Sequence, residues 1–338
     1  MSARRLGTVL AAAAVVVTAQ LGTPSLAQAK VAHAHGSMVF AKSGNVYVAR
    51  ADGSGAHLVK KGGYGWVTID RHGVISALAP DGIVSPDGSA GYSIYRMNQH
   101  GKVLSRTATP ADYSTLDYLA YPPRHVAVSP NGTKTAYDLF LGDQFVSLWS
   151  PSKRMSFAGQ GAGQEGYGSP VWLDNKRILL SSTGVRIAGG EEMGVYTVGA
   201  GQDSVQDWFS ADSWATGFEA TATSNGKKIA ILEDDSADYI DGVARNFRLV
   251  LMTSGGILQP VTRKCTFALP LKNFGSYVGA ATDDQFNFDA TGSTLAFMTN
   301  YGIWRANTRN LDNCSTVKPH MWIKGGYAPA FSAADLQR

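Results

Sequence analysis

Gly36-Ser37-Met38-Val39-Phe40-Ala41-Lys42-Ser43-Gly44-Asn45-Val46-Tyr47-Val48-Ala49-Arg50-Ala51-Asp52-Gly53-Ser54-Gly55-Ala56-His57-Leu58-Val59 is the stretch whose reading decides the fold. Met38 to Ala41 is a short apolar run, Ser43-Gly44-Asn45 a turn, and Val46 to Arg50 a second run of β-branched and aromatic residues. Ala51-Asp52-Gly53 turns the chain again, and His57 to Val59 begins a third run. Short runs rich in β-branched and aromatic residues, separated by tight Gly- and Asn-containing turns, read as antiparallel strands joined in a meander.

The same outline recurs down the chain. Its turns are Arg71-His72-Gly73, Gln99-His100-Gly101, Pro130-Asn131-Gly132, Asp174-Asn175, Ser224-Asn225-Gly226 and Ala290-Thr291-Gly292, each between two apolar runs. The first strands of the later units begin near residues 66, 125, 171, 219 and 286, at spacings of 59, 46, 48 and 67. A repeat of about 50 residues with four short strands per unit predicts a β-propeller. The expected fold is all-β, with six blades of four antiparallel strands. The last strands are expected at Ile303 to Ala306 and around Val317. No helix of ten residues is expected beyond the N-terminal leader; Asp112 to Leu119 has room for a turn or two.

The first unit has three strands where the others have four. The missing strand matches Ala328 to Asp335 at the far end of the chain, so the C-terminal strand is expected to complete blade one beside Met38 to Ala41. Such closure removes the open edges of the ring. The expected boundaries are residues 1–29 for a signal peptide and 30–338 for one propeller domain. Blade one covers 38–62 plus 328–335, and blades two to six cover 66–110, 125–160, 170–212, 218–268 and 285–325.

The leader reading rests on Arg4 and Arg5, the uncharged run Leu6 to Leu21, the break at Pro24 and the small-x-small triplet Ala27-Gln28-Ala29, with a second cut available at Ala32-His33-Ala34. The run is shorter than the ~20 residues that cross a bilayer, so it reads as a cleaved signal and not as a stable membrane anchor. Cleavage at residue 29 leaves 28 basic against 26 acidic residues, a balance that argues against a nucleic-acid partner. The expected location is secreted or otherwise extracytoplasmic, as a monomer. In that compartment the two cysteines, Cys265 and Cys314, are expected to pair, closing a loop of about 50 residues worth about 4 kcal/mol.

The units resemble TolB-like propeller repeats. The residues that carry the resemblance are His125-Val126-Ala127-Val128-Ser129-Pro130-Asn131-Gly132, Lys228-Ile229-Ala230-Ile231 after Asn225-Gly226, Leu295-Ala296-Phe297 after Thr291-Gly292, and Asn45-Val46-Tyr47-Val48 with Ala51-Asp52-Gly53. The resemblance covers residues 36–338 and implies a secreted bacterial propeller. Only residues 30–37 precede the first unit, so the resemblance implies a member without the N-terminal domain of the Tol-system protein and without its translocation role.

Catalytic motifs are few. Gly161-Ala162-Gly163-Gln164-Glu165-Gly166 has dinucleotide-type glycine spacing, but Tyr167-Gly168-Ser169-Pro170 follows and cannot begin the helix that the motif needs. No Gly-x-Ser-x-Gly or His-Glu-x-x-His occurs, and the seven His residues are scattered. The acidic loop Glu233 to Gly242 offers hard oxygen ligands of the kind that hold Ca²⁺, through Asp234, Asp235, Asp238 and Asp241. Position twelve from Asp234 is Arg245, so the loop is no EF-hand, and the reading preferred over Ca²⁺ binding is a solvated acidic loop. No other cofactor is implied.

The long loops between the second and third strands and between blades share one face and are aromatic. Trp66, Tyr92, Tyr113, Tyr118, Tyr167, Trp214, Tyr239 and Tyr277 are the candidate ligand-binding residues there. Two function classes follow. The preferred one is a non-enzymatic binding module for a cell-wall component, a polysaccharide or a protein. The other is a polysaccharide lyase or glycoside hydrolase with carboxylates at the channel mouth, for which Glu165, Glu191, Glu192, Asp283 and Asp284 are the candidates.

Overall fold

The computed structural model describes residues 35–84, 90–109, 124–140, 144–150, 153–158, 167–182, 192–200, 204–211, 216–234, 247–269, 286–299 and 301–337. Among them the strands form six four-stranded antiparallel sheets. The first is built from β1 (Ser37–Lys42), β2 (Asn45–Arg50) and β3 (His57–Lys60), the second from β4 (Val67–Ile69), β5 (Ile75–Val84), β6 (Ala90–Met97) and β7 (Val103–Thr109). The third holds β8 (Arg124–Val128), β9 (Thr135–Phe140), β10 (Gln144–Ser150) and β11 (Lys153–Ala158). The fourth holds β12 (Tyr167–Trp172), β13 (Arg177–Ser182), β14 (Glu192–Thr197) and β15 (Val205–Ser210). The fifth holds β16 (Thr216–Ala222), β17 (Lys228–Asp234), β18 (Phe247–Ser254) and β19 (Val261–Ala268), and the sixth β20 (Phe286–Phe288), β21 (Thr294–Thr299), β22 (Gly302–Asn307) and β23 (His320–Lys324). The last strand, β24 (Gly326–Ser332), returns to the first sheet and pairs with β1, Met38 opposite Phe331 and Val39 opposite Ala330.

One edge strand of each sheet faces a common axis. These six strands, β24, β4, β8, β12, β16 and β20, touch one another in that order and β20 touches β24 again, so the contacts run round a closed ring. The sheets stack face to face through shared apolar clusters. Val39, Val48, Val67, Ile75 and Val126 join the first three sheets, and Ile178, Tyr196 and Ala136 join the third to the fourth. Leu179, Ile231 and Val250 join the fourth to the fifth, Leu249, Leu295 and Phe297 the fifth to the sixth, and Met38, Phe40 and Ile303 the sixth back to the first. Both faces of each sheet are therefore covered, which is why the strands alternate less sharply than half-exposed ones. The fold is a β-propeller of four-stranded antiparallel blades.

The turn after each inner strand repeats one device, a side-chain oxygen that accepts backbone N–H groups ahead of it. Asp70 accepts from His72 and Val74, Asp174 from Lys176 and Arg177, and Asp289 from Thr291 and Ser293; Asn131 and Asn225 do the same for Thr133 and Lys227. Gly132 has φ +72 in such a turn, and a Cβ there would overlap the Asp70 carboxylate of the preceding sheet. Only glycine meets both demands.

The C-terminus is tied down at several points. Ser332 Oγ donates to the Asp70 carbonyl at 2.6 Å, Ser37 Oγ to the Ala334 carbonyl at 2.8 Å, and Gly36 N to Asp335 Oδ1 at 2.8 Å. Gln99 clasps the same segment, donating to the Asp335 carbonyl and accepting from Gln337 N. Cys265 in β19 is disulfide-bonded to Cys314, which links the fifth and sixth sheets across a separation of 49 residues. The expected strand around Val317 is corrected. A 3₁₀ turn covers Cys314–Thr316, Val317 is fully buried beside Cys265, and β23 starts only after Pro319. Val317 is apolar because it plugs the core, not because it alternates in a strand.

Candidate functional site

The axis of the ring is a channel of about 310 Å³. Its wall runs from His125, Ser169 and Glu219, early in their inner strands, to Pro130, Ser224, Ala290 and Ala333 in the turns that follow. Each inner strand is an edge strand of its sheet, so its outward N–H and C=O groups face the channel without a strand partner. Side chains serve some of them, Ala127 O accepting from Trp172 Nε1 and Ala220 N donating to Ser181 Oγ, and the rest need water or a ligand.

A buried polar cluster lies at the strand-entry end. It is set up by a bulge. Pairing shifts register between Arg124 and Ala127 in β8, between Gly168 and Val171 in β12, between Gly217 and Glu219 in β16, and on the β1–β24 ladder. His125, Ser169 and Ala328 at these shifts have φ of 48, 51 and 51°. A left-handed backbone at a non-glycine residue costs about 1–2 kcal/mol, and a bulge re-aims the side chain that it carries. At His125 and Ser169 the residue so placed lines the channel.

His125 Nδ1 lies 2.5 Å from Asp138 Oδ2, and Nε2 lies 2.8 Å from Glu219 Oε1. Ser169 N donates to both Asp138 oxygens at 3.0 Å, and Ser169 Oγ donates to Glu219 Oε1 at 3.2 Å. The Trp66 ring covers the imidazole, with centroids 4.5 Å apart. One network thus joins four successive sheets. His125 and Glu219 are each only 4% exposed. Burial alone would lower the His125 pKa, but the flanking Asp138 and Glu219 carboxylates overcome it and hold the ring protonated well above its ordinary value. Burial, with the Asp138 charge nearby, pushes Glu219 up to about 7 against the pull of His125.

The expected site residues are placed as follows. Trp66 is a correction to the ligand-face reading: at 9% exposure it belongs to the core and covers His125. Its indole is amphipathic, and the buried side is the one in use. Tyr92 and Tyr167 are half-buried and pack against the first and fourth apolar clusters. Tyr113, Tyr118, Trp214, Tyr239 and Tyr277 lie outside the described residues, as do Asp235, Asp238 and Asp241 of the acidic loop. The backbone of Asp234 ends β17, paired with Phe247 and Thr216. Glu165, Glu191, Asp283 and Asp284 also lie outside the described residues, and Glu192 is described as backbone of β14 alone. The residues that sequence reading missed are His125, Asp138, Ser169 and Glu219. The available signal was a charged side chain within an otherwise apolar inner strand, as in Glu219-Ala220-Thr221-Ala222.

No family model matches this chain, and no curated protein does. Solved structures do match. A prolyl endopeptidase superposes with a TM-score of 0.46 at 16% identity, over 77% of this chain and 35% of that one, so the chain spans about a third of that protein's length. TolB from Agrobacterium tumefaciens gives 0.47 at 15% identity, over 70% of this chain and 81% of that one. The periplasmic gluconolactonase of Pseudomonas aeruginosa gives 0.48 at 11% identity, over 88% and 98%. At these identities the likeness concerns the fold and carries no activity with it.

Proposed function

We propose that this protein is a six-bladed, TolB-like, extracytoplasmic propeller that acts as a binding module, taking a polar segment of a cell-wall component, polysaccharide or protein into its central channel. The disulfide supports an oxidising compartment. The observation that carries the binding reading is the state of His125 at the channel end. Both ring nitrogens face carboxylates, and the ring is held protonated. A protonated imidazole has no lone pair with which to accept a proton from a nucleophile. Ser169 Oγ donates to Glu219, so the cluster lacks the serine-to-imidazole hydrogen bond of an activated serine. What remains is a polar, rigid floor beneath a channel walled by backbone donors and acceptors, the construction of a recognition site. A glycan and peptide array probed with the mature protein, with released sugars assayed in parallel, tests this reading. Binding without turnover is expected; sugar release or peptide cleavage overturns it.

A further inference from the structure

Five large apolar side chains are exposed among the described residues, and four of them share one part of the ring. Leu58 is the second residue of β3, Val103 and Leu104 are the first two of β7, and Met321 is the second of β23. These are the outermost strands of the first, second and sixth sheets, which are neighbours around the axis. In a four-stranded meander the outer strand starts at the face of the short turns, so all four side chains rim that face. The blades abut there. A Cβ at Gly101, in the turn before β7, would overlap the Val59 carbonyl of β3. One at Gly53, in the turn before β3, would overlap the Trp322 ring of β23.

The charge of this rim is one-sided. Residues 57–61, 100–109 and 318–324 hold six Lys and Arg and no Asp or Glu. Arg106 is taken up by Asp81 and Ser93. Among the described residues, Lys60, Lys61, Lys102, Lys318 and Lys324 have no ion-pair partner. The exposed acids in the adjoining segments are engaged. Asp52 accepts from Ser54 N in a turn shared with Arg50, and Asp335 accepts from Gly36 N. The outer strands of the fourth and fifth sheets differ: β15 exposes Asp207, and in β19 Arg263 and Lys264 are paired with Glu233 and Asp312. Lysine on an edge strand also guards against strand pairing. That role does not account for the bare apolar side chains at the same strand ends.

We propose that this rim docks reversibly on an anionic phospholipid surface, with Leu58, Leu104 and Met321 entering the headgroup layer and the lysines reaching the phosphates. Apolar and basic side chains mixed on one acid-free rim match an interfacial membrane site. Lysine stems lie along the apolar boundary while their ammonium ends stay at the phosphates. An acidic protein partner would need one contiguous patch to cover. Here the apolar residues come one or two to a blade, and a bilayer takes them singly. None of them lines the channel, so this proposal stands or falls apart from the channel reading.

The test is sedimentation of the mature protein with vesicles of phosphatidylcholine, alone or with about a third phosphatidylglycerol, at low salt. Binding at least about tenfold tighter to the anionic vesicles is expected, and it should weaken as salt is raised. Leu104→Ser with Met321→Ser, and Lys102→Gln with Lys318→Gln, should each lose about tenfold of that affinity at an unchanged melting temperature. Equal affinity for both vesicles, or none for either, overturns the proposal. Full affinity after Leu104→Ser with Met321→Ser also overturns it, since charge alone would then explain binding. Poly-glutamate is run beside the vesicles; if it binds as tightly as they do, the rim belongs to an acidic polypeptide and the lipid assignment is overturned. Should either variant fail to fold, spin-labelled lipid in the anionic vesicles decides with the wild type. Broadening of the methyl signals of Leu58, Leu104 and Met321 supports the proposal, and broadening confined to other methyls overturns it.

Discussion

Replacing His125 with glutamine removes the imidazolium that bridges Asp138 and Glu219. The structure sets the size of the effect. His125 makes contacts of 2.5 and 2.8 Å to two carboxylates whose side chains are each 5% exposed, and no bulk water is at hand to replace it. Breaking a buried ion pair by removing one partner costs about 3–5 kcal/mol, because the charge left behind is uncompensated. Glutamine meets the same φ near 48° that histidine already holds, so the backbone adds little to this difference. Since the cluster joins four sheets, the loss should register as a lower unfolding midpoint for the whole ring, with the signals of Trp66 and Ser169 moving together. The assay is urea unfolding at pH 7.5, followed by tryptophan fluorescence. Glu219→Gln combined with His125→Gln should cost less than the sum of the singles, because neutralising one carboxylate relieves the repulsion. A His125→Gln variant within 1 kcal/mol of wild type, or one additive with Glu219→Gln, would refute the idea that this cluster braces the channel.

Other outcomes follow from the same structure. Glu219 has a folded value of about 7 against an ordinary 4.5, so the folded state binds the extra proton between these values and stability falls as pH rises through them, by about 3 kcal/mol in all. The raised His125 value acts in the same direction: its stabilisation is complete below pH 6.5 and is lost as pH rises through its higher folded value. Thermal melts should therefore peak in mildly acidic buffer, and a midpoint that climbs steadily from pH 5 to 8 would contradict this. Deleting residues 326–338 exposes the β1 edge and removes the clasp at Gln99, so soluble, cooperatively melting protein should be lost; wild-type hydrogen exchange in the truncated chain would mean that the ring closes otherwise. Cys265→Ala with Cys314→Ala should cost about 2–4 kcal/mol while binding is kept, and alkylation of unreduced, denatured wild type should find no free thiol.

The sequence made the ladder of strands legible because its signals are local. Alternating runs such as Val46 to Arg50, and turns such as Asn131-Gly132 and Asn225-Gly226, encode strand and turn within a few residues. The return of β24 to β1 was legible for a different reason: the first unit is one strand short and the last segment has that strand's composition. The floor of the channel was not legible. Ser169 and Glu219 are 50 residues apart in the chain, Asp138 and Ser169 31 apart, and they meet only because the blades bring equivalent strand positions to one axis. Nothing local marks His125 as a bulge residue, since its neighbours Val126 and Val128 fit an ordinary strand. Trp66 shows the converse limit. Its place in a loop suggested contact with a ligand, and only packing reveals that the ring covers His125.

The account stands on the channel as the place of binding, and one comparison of affinities tests it most directly. Asn287 lines the channel from β20 and is half-buried, and it makes no hydrogen bond to the described residues. Asn287→Trp should fill much of the 310 Å³ space without disturbing a polar network. Tyr167→Ala instead changes a half-buried ring at the start of β12 that packs on the fourth apolar cluster and does not line the channel. The affinity of each variant for whichever ligand the array returns is measured by calorimetry, beside its melting temperature. Loss of at least tenfold in Asn287→Trp at an unchanged melting temperature, with Tyr167→Ala close to wild type, is the predicted result. Full affinity in Asn287→Trp, with binding lost in Tyr167→Ala, would contradict the account and place the site outside the channel.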